Sequence, residues 1–280
     1  MLFRSFDDGS LYEGELINGI PEGYGMRKFV NGNLFEGQFR KGLAHGHGTM
    51  RYRAEKNLLQ YSGNWEKGVR SGHGALTYSD ESRLEGFWKK DQVVYAEFLS
   101  SNGTVSFGKW EAGKLREGTV VSSAGEKFSG RLDDRGAWES GASQSADGSI
   151  YYGGFADGRF HGQGVLESAD GSVYTGGFRE GRKAGVGALR DPDGSVYFGE
   201  FENDAPGGQG VQTDPSGVSY SGQWLAGERH GPGTLDFNDG SSYVGEFENG
   251  RAVDGTYDWG DGRRTRSYQD ESGQWRDVEE

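Results

Sequence analysis

The histidines are the first residues in this sequence that could hold a metal or act as a general base. His45, His161 and His230 each precede a Gly-x-Gly triplet, so they occupy one position of a recurring pattern. Metal and catalytic sites need side chains that converge on one point. Equivalent positions of successive repeats lie apart along a repeat array, so we interpret these histidines as turn residues that bond to backbone. Neither a metal site nor a Ser/His/Asp site is predicted.

Two other stretches resemble ligand-binding loops. Gly108–Lys114 matches the glycines and lysine of a phosphate-binding loop, but Leu115 follows where a serine or threonine would bind magnesium. Gly63–Gly68 is the same stretch in a sister repeat and is followed by Val69 instead of a lysine, so the repeat accounts for the glycines. Asp191–Gly194 lacks the spacing and the final glutamate of an EF-hand loop. We therefore expect no nucleotide, calcium or other cofactor.

Composition restricts the function further. The net charge of −13 argues against a nucleic-acid partner, which needs a basic face, and more weakly against anionic membranes. The chain has no cysteine, which excludes disulfides and thiol chemistry. It contains no apolar run long enough for a membrane helix, and no apolar segment follows Met1, so we expect a soluble, cytoplasmic protein.

Glycine accounts for 52 of the 280 residues and recurs at fixed positions of a repeated pattern. The pattern aromatic-x-Gly-x-aromatic-x-x-Gly recurs in steps of 23 residues in the second half of the chain. Asp-Gly or Asn-Gly, which favour tight turns, precede most copies. The first aromatic and its glycine are Tyr151 and Gly153, Tyr174 and Gly176, Tyr197 and Gly199, Tyr220 and Gly222, and Tyr243 and Gly245; earlier copies begin at Tyr12, Phe35 and Tyr61.

The pattern predicts a β-hairpin for each copy. Side chains alternate across a strand, so Tyr174, Gly176 and Phe178 share one face. Gly185 and Gly187 share a face of the returning strand, where bare backbone leaves room for rings. Rings packed over glycines offset the cost of glycine in a strand.

These motifs resemble the MORN repeat, whose signature Tyr-x-Gly-x-Phe-x-x-Gly-x-x-His-Gly-x-Gly recurs over roughly residues 9–262. The resemblance implies an all-β fold, an elongated and twisted single-layer antiparallel sheet of about eleven stacked hairpins with a groove along one face. Such a sheet would be on the order of 100 Å long. Each hairpin touches only its neighbours, so stability should be nearly one-dimensional.

The pattern weakens in two places. Residues 84–141 are degenerate: Asp91 replaces a glycine, Ser106 replaces an aromatic, and the spacing falls to 22. Either the repeats have drifted there, or the region forms a kink or a partner site. We predict a repeat array over residues 1–262, with regular arms at about 1–83 and 142–262, and a C-terminal tail or cap at 263–280.

The predicted function is a non-catalytic scaffold that binds partner proteins, because a single-layer sheet leaves part of its rings open. The repeats leave no room for a catalytic domain. Similar MORN arrays imply a cytoskeletal or ciliary assembly, such as an axonemal radial spoke; the alternative is a phospholipid-associated tether, and homodimerisation through open sheet edges is a further expectation. The predicted contact residues are Tyr151, Phe155, Tyr174, Phe178, Tyr197, Phe201, Tyr220 and Trp224.

Overall fold

The computed structural model describes residues 2–53, 55 and 57–278. The chain divides into two compact units, one ending at Ala137 and the other beginning at Trp138. Within each unit every strand pairs antiparallel with the strands that precede and follow it in sequence. The predicted all-β fold of stacked hairpins is confirmed. No helix that could span a membrane occurs in the described part of the chain.

The described residues of unit 1 form twelve strands. They are β1 (Leu2–Ser5), β2 (Leu11–Ile17), β3 (Ile20–Lys28), β4 (Leu34–Arg40), β5 (Leu43–Arg51), β6 (Leu58–Glu66), β7 (Val69–Tyr78), β8 (Arg83–Lys89), β9 (Gln92–Leu99), β10 (Val105–Glu111), β11 (Lys114–Val121) and β12 (Lys127–Leu132).

Unit 2, as far as residue 278, forms thirteen strands. They are β13 (Trp138–Gln144), β14 (Ile150–Ala156), β15 (Arg159–Glu167), β16 (Val173–Arg179), β17 (Arg182–Arg190), β18 (Val196–Glu202), β19 (Ala205–Thr213), β20 (Ser219–Leu225), β21 (Glu228–Asp236), β22 (Ser242–Glu248), β23 (Arg251–Asp258), β24 (Arg264–Gln269) and β25 (Trp275–Asp277).

Five hairpins in each unit join a seven- to nine-residue strand to its return strand through a two-residue turn. Both turn residues have positive φ, as at Lys41 and Gly42, which is the geometry that matches the twist of paired strands. The last glycine of the sequence pattern therefore closes the hairpin. Phe128, Gly130 and Leu132 form a weaker copy of the pattern in β12. This copy has no such turn, because β12 is followed by the longer turn at residues 133–137.

The Gly-x-Gly triplet makes a bulge within the return strand. Gly176 faces Gly187 and Phe178 faces Lys183, so the return strand holds extra residues. Gly185, at φ +71°, provides the left-handed backbone that this bulge requires. Strands β9, β11 and β23 lack the triplet and bulge by one residue, which makes them eight residues long. The shorter bulge explains the 22-residue spacing.

The histidines lie inside return strands, which corrects their interpretation as turn residues. His45, His161 and His230 belong to β5, β15 and β21. The glycine after each of them has positive φ. A positive φ marks a bulge as readily as a turn, and the sequence alone did not separate the two.

The Asp-Gly dipeptides form a second kind of turn, between one hairpin and the next. Ser168 N–H donates to the carbonyl of Ser172 at 2.9 Å, which closes a five-residue turn. The carboxylate of Asp170 accepts a hydrogen bond from Ser172 N–H at 2.8 Å. An Asp or Asn side chain that bonds the backbone two residues on is a common turn-stabilising device.

The C-terminal segment continues the sheet of unit 2. β24 pairs with β23 and with β25. The Trp275 indole packs against the rings of Tyr243 and Tyr257, with centroid distances of 4.9 Å in both cases. The last ring-bearing hairpin is therefore covered by side chains of the tail.

Candidate functional site

One face of each sheet, called here the ring face, carries the periodic aromatics. The Tyr174 ring lies on the backbone of Gly176 and Gly187: a Cβ at Gly187 would be 2.5 Å from the hydroxyl oxygen and 2.6–2.7 Å from ring atoms. The Tyr174 hydroxyl donates to the carbonyl of Gly177 at 2.9 Å. The ring is thereby buried while its polar end is paired.

The second aromatic of each hairpin connects consecutive rings. The Phe178 ring lies edge-on to Tyr151 at 5.0 Å and to Tyr174 at 5.1 Å. Trp65 makes the same pair of contacts with Phe35 and Tyr61 in unit 1. Edge-to-face pairs at such distances are favourable. The rings of successive regular hairpins thus form a row, called here the ring row.

All eight predicted contact residues belong to this row. Their exposed fractions are 9% or less, so they form the core of unit 2. The expectation that the rings stay partly open is not met at these positions, because each ring is covered by its neighbours. Burial also raises the pKa of Tyr174 and Tyr197 to about 12. Their role in partner contact stays a prediction. The residues are Tyr151, Phe155, Tyr174, Phe178, Tyr197, Phe201, Tyr220 and Trp224.

The ring row is interrupted in unit 1. Leu84 and Ser106 stand where other hairpins carry a tyrosine or phenylalanine. Ala96 faces Gly86, where the other strand of a regular hairpin has a glycine. Trp110 lies on the same strand as Ser106 and contacts the Phe98 ring at 6.2 Å. It is half-buried, whereas Trp65 and Trp88 are buried, because both adjacent first-position rings are missing.

An open cavity of about 940 Å³ lies at this interruption. Its apolar wall includes Leu84, Phe98 and Trp110. At its rim the Asp91 carboxylate accepts hydrogen bonds from Arg70 N–H at 2.9 Å and from Arg70 Nε at 3.0 Å. The Arg70 guanidinium lies 4.5 Å from the centre of the Trp88 ring. The cavity therefore combines an apolar floor with an ion pair at its rim, a composition that is typical of ligand pockets.

Sequence reasoning did not find this cavity. It identified residues 84–141 as irregular, and the two replacements, Leu84 and Ser106, were the available signal. The ion pair of Arg70 with Asp91 joins residues of neighbouring hairpins and was not predictable from spacing. The described residues contain no group of three or more histidine, aspartate or glutamate side chains that could hold a metal.

Stacked hairpins, a ring row over glycines and alternating two- and five-residue turns define a repeat protein with open antiparallel sheets. The sequence matches the MORN repeat eight times, over more than half of its length, and the chain belongs to the MORN-repeat family. The matches cover residues 12–34, 35–54, 61–83, 151–173, 174–196, 197–219, 220–242 and 243–263. They leave out residues 84–150, which contain the interrupted part of the ring row.

Solved structures show distant likeness. The TCP10 domain of Danio rerio CPAP is 13% identical, with 79% of this chain and 94% of that chain covered and a TM-score of 0.34. The SAS-4 TCP domain of Drosophila melanogaster, in complex with a proline-rich motif of Ana2, is 12% identical, with 63% and 85% covered and a TM-score of 0.30. A virginiamycin B lyase of Staphylococcus aureus is 12% identical, with 96% and 88% covered and a TM-score of 0.16. No curated protein matches the chain. These likenesses carry no conclusion about function.

Proposed function

We propose that this chain is a non-catalytic scaffold that binds a partner protein at the cavity in the ring face of unit 1. The observation that carries the proposal is the interruption of the ring row at Leu84 and Ser106. Regular hairpins fill this space with their own rings, so the interruption leaves apolar side chains open to a partner.

The chemistry of the cavity selects an apolar side chain. Burying apolar surface contributes about 25 cal/mol per Å², and an aromatic or leucine side chain from a partner would cover Leu84, Phe98 and Trp110. The Arg70–Asp91 ion pair at the rim can orient the partner's backbone or a polar neighbour.

The test closes the cavity with residues that the repeat already uses. Leu84→Tyr combined with Ala96→Gly reproduces the tyrosine and the paired glycine of a regular hairpin, so the fold should persist. Partners recovered from cell lysate with the wild-type protein would be purified, and their affinities for the wild type and the double variant would be measured by calorimetry. We expect at least about a tenfold loss.

The control is Val244→Ser, an exposed substitution on the opposite face of unit 2, which should leave each affinity unchanged. Equal affinities for the wild type and the filled variant, with an unchanged circular dichroism spectrum, would reject the cavity as the binding site.

The predicted contact surface of unit 2 is retained as a second part of the proposal. Each of its eight rings is buried, so alanine at Tyr174 and Phe178 would also remove core packing. A binding loss in that double variant counts only when circular dichroism and thermal melting show that the variant is folded.

The proposed setting, a cytoskeletal or ciliary assembly, rests on the resemblance to other MORN arrays. Fluorescence microscopy of the tagged protein in ciliated cells tests it; a diffuse signal with no enrichment on axonemes or cytoskeleton would remove it. Homodimerisation through a free sheet edge is checked by light scattering over a range of protein concentrations.

Lipid association is the second candidate, and one pocket of unit 2 favours it. Arg159, Arg179, Arg182 and Lys183 line a cavity of about 830 Å³. Glu180, Glu200 and Glu202 line the same cavity and offset this positive charge. Flotation with phosphoinositide vesicles separates the two functions: binding that is lost in Arg179→Glu with Arg182→Glu would favour the lipid function.

A further inference from the structure

The face of unit 1 opposite the ring face, called here the outer face, carries three exposed aromatic residues on adjacent strands. Phe87, Tyr95 and Phe107 have exposed fractions of 56%, 44% and 46%. Phe87 faces Tyr95 in the pairing of β8 with β9. The rings of Tyr95 and Phe107 meet edge-on, 4.9 Å apart. The three side chains form one surface, called here the outer aromatic patch.

The fold does not need these rings. At the position of Phe87 the two preceding repeats carry Asn64 and Gln38, and Gln38 accepts a hydrogen bond from backbone N–H there. At the position of Phe107 a sister repeat carries Ser62. Polar residues at these positions are compatible with the same hairpin. The exposed rings of the patch are therefore not required for the hairpin to form.

Carboxylates lie within the patch. Glu97 faces Glu85 on one neighbouring strand and Phe107 on the other. Glu85 pairs with Arg83 and lies 3.8 Å from Nε2 of His73, whereas no ion pair of Glu97 is found in the part of the chain that the structure describes. Like charges directly opposite in a sheet are destabilising. A positive charge brought by a ligand would relieve this repulsion.

The size of the patch limits what can cover it. Half-exposed rings at three positions offer on the order of 300 Å² of aromatic surface, since an aromatic side chain covers about 150–250 Å². A stable interface between folded proteins needs about 800 Å² on each partner. The patch therefore fits a short extended segment better than a second copy of the chain.

We propose that the outer aromatic patch binds a short segment of a partner protein in which arginine or lysine alternates with apolar residues. The cationic groups lie over the rings of Tyr95 and Phe107 and pair with Glu97 and Glu85. The apolar residues cover Phe87. Cation–π contact and ion pairing then act on the same side chain, and the net charge of −13 attracts such a segment. This binding function is separate from the partner binding proposed for the cavity on the ring face.

The probe is a fluorescent nine-residue peptide of alternating arginine and leucine, with a glutamate–leucine peptide as its counterpart. Binding is measured by fluorescence anisotropy at about 150 mM salt, where long-range attraction is screened. We expect the basic peptide to bind and the acidic peptide not to bind. Phe87→Asn with Phe107→Ser, which introduces residues of sister repeats, should weaken binding of the basic peptide at least about tenfold. Glu85→Gln with Glu97→Gln should weaken it as well.

A decisive variant separates the patch from general attraction to an acidic protein. Phe87→Glu with Tyr95→Glu adds two negative charges and removes two rings. General electrostatic attraction predicts tighter binding of the basic peptide, whereas the patch predicts weaker binding. Tighter or unchanged binding in a folded variant would overturn the proposal.

The same set of variants also tests for other occupants of the outer aromatic patch. If light scattering shows a dimer that Phe87→Asn with Phe107→Ser abolishes, the occupant of the patch is a second copy of the chain. If the protein floats with vesicles of phosphatidylcholine and phosphatidylserine and the same variant does not, the occupant is a membrane. The cavity variant Leu84→Tyr with Ala96→Gly should leave peptide binding unchanged, so the two surfaces can fail independently.

Discussion

The ring of Tyr174 occupies the space that a side chain at Gly187 would need. The hydroxyl oxygen and two ring atoms lie within 2.7 Å of an ideal Cβ at that glycine, which is closer than real Cβ contacts come. The same relation joins Tyr61 to Gly74 and Tyr220 to Gly233. The glycines of the repeat are therefore required as bare surface on which rings lie, in addition to their role in turns.

Gly187→Ala should therefore destabilise unit 2. The added methyl group forces the Tyr174 ring from its place, and overpacking of this kind costs about 1–3 kcal/mol. Gly207→Ala is the matched control: its Cβ would meet only Glu202, at 3.6 Å, and a sister repeat carries Ala184 there. Thermal unfolding followed by circular dichroism measures both. Equal melting temperatures for the two variants would contradict the role of Gly187.

Alkaline pH should unfold the chain through its buried tyrosines. Burial raises the pKa of Tyr174, Tyr197 and Tyr243 from 10.0 to about 12. The stability that follows is complete below pH 10 and is lost as the pH rises towards 12, because the unfolded chain ionises first. The melting temperature should fall across this window, while absorbance of tyrosinate at long wavelength rises in step.

Tyr174→Phe tests which group is responsible. It removes the hydrogen bond to the carbonyl of Gly177, at a cost of about 1 kcal/mol at neutral pH, and keeps the ring. Because one titrating group is gone, the melting temperature of the variant should fall less steeply between pH 10 and 12 than that of the wild type. A parallel fall in the two proteins would show that Tyr174 does not contribute.

The regular hairpins could be predicted from sequence because each level of their structure repeats one signal. The spacing of the motifs predicted the positions of the strands, and the alternation of side chains placed the Tyr174 ring over Gly176 and Gly187. The resemblance to the family predicted the same hairpins. The burial of the ring row was underestimated, since contacts such as Phe178 with Tyr151 join rings of different hairpins. Alternation within one strand does not show how closely neighbouring hairpins pack.

The candidate sites depend on exceptions to the repeat. Ser106 and Leu84 were visible as missing rings, but a missing ring can be filled by neighbours, and only coordinates show that Trp110 stays half-buried beside an open cavity. Phe87 and Phe107 fall on the face that the pattern assigns to water. The sequence alone gave no reason to join them with Tyr95, which belongs to a return strand without the usual triplet.

Acid should loosen the five-residue turns. Hydrogen bonds from Ser82 and Ser10 hold the pKa of Asp80 and Asp8 below 3.8, and those from Ser272 help to lower the pKa of Asp270 to about 2. A lowered pKa gives stability that is present above the ordinary value and is lost as the pH falls towards 2. Burial raises the pKa of Asp191, which opposes this trend at one turn.

The measurement is the melting temperature from about pH 6 to about pH 2. It should stay level above pH 4 and fall below it. Asp80→Asn keeps an acceptor for Ser82 and removes the titration, so its melting temperature should fall less than that of the wild type over the same range. Identical pH profiles would mean that this turn does not contribute to acid unfolding.

The two-residue turn at Asp91 should tolerate glycine better than alanine. Asp91 has φ +64°, a strained backbone that its carboxylate offsets by bonding Arg70 of the preceding hairpin. Asp91→Gly removes both the strain and the bonds, whereas Asp91→Ala keeps the strain, so alanine should be less stable than glycine by about 1 kcal/mol. Gly68→Asp is the matched control. Gly68 N–H donates to the carbonyl of Ala44, so an aspartate at position 68 has no arginine to bond. This variant should be less stable than the wild type. Denaturant unfolding ranks the four proteins. An alanine variant as stable as the glycine variant would show that the backbone at position 91 is not strained, and a wild type no more stable than the alanine variant would show that the bonds to Arg70 do not offset strain.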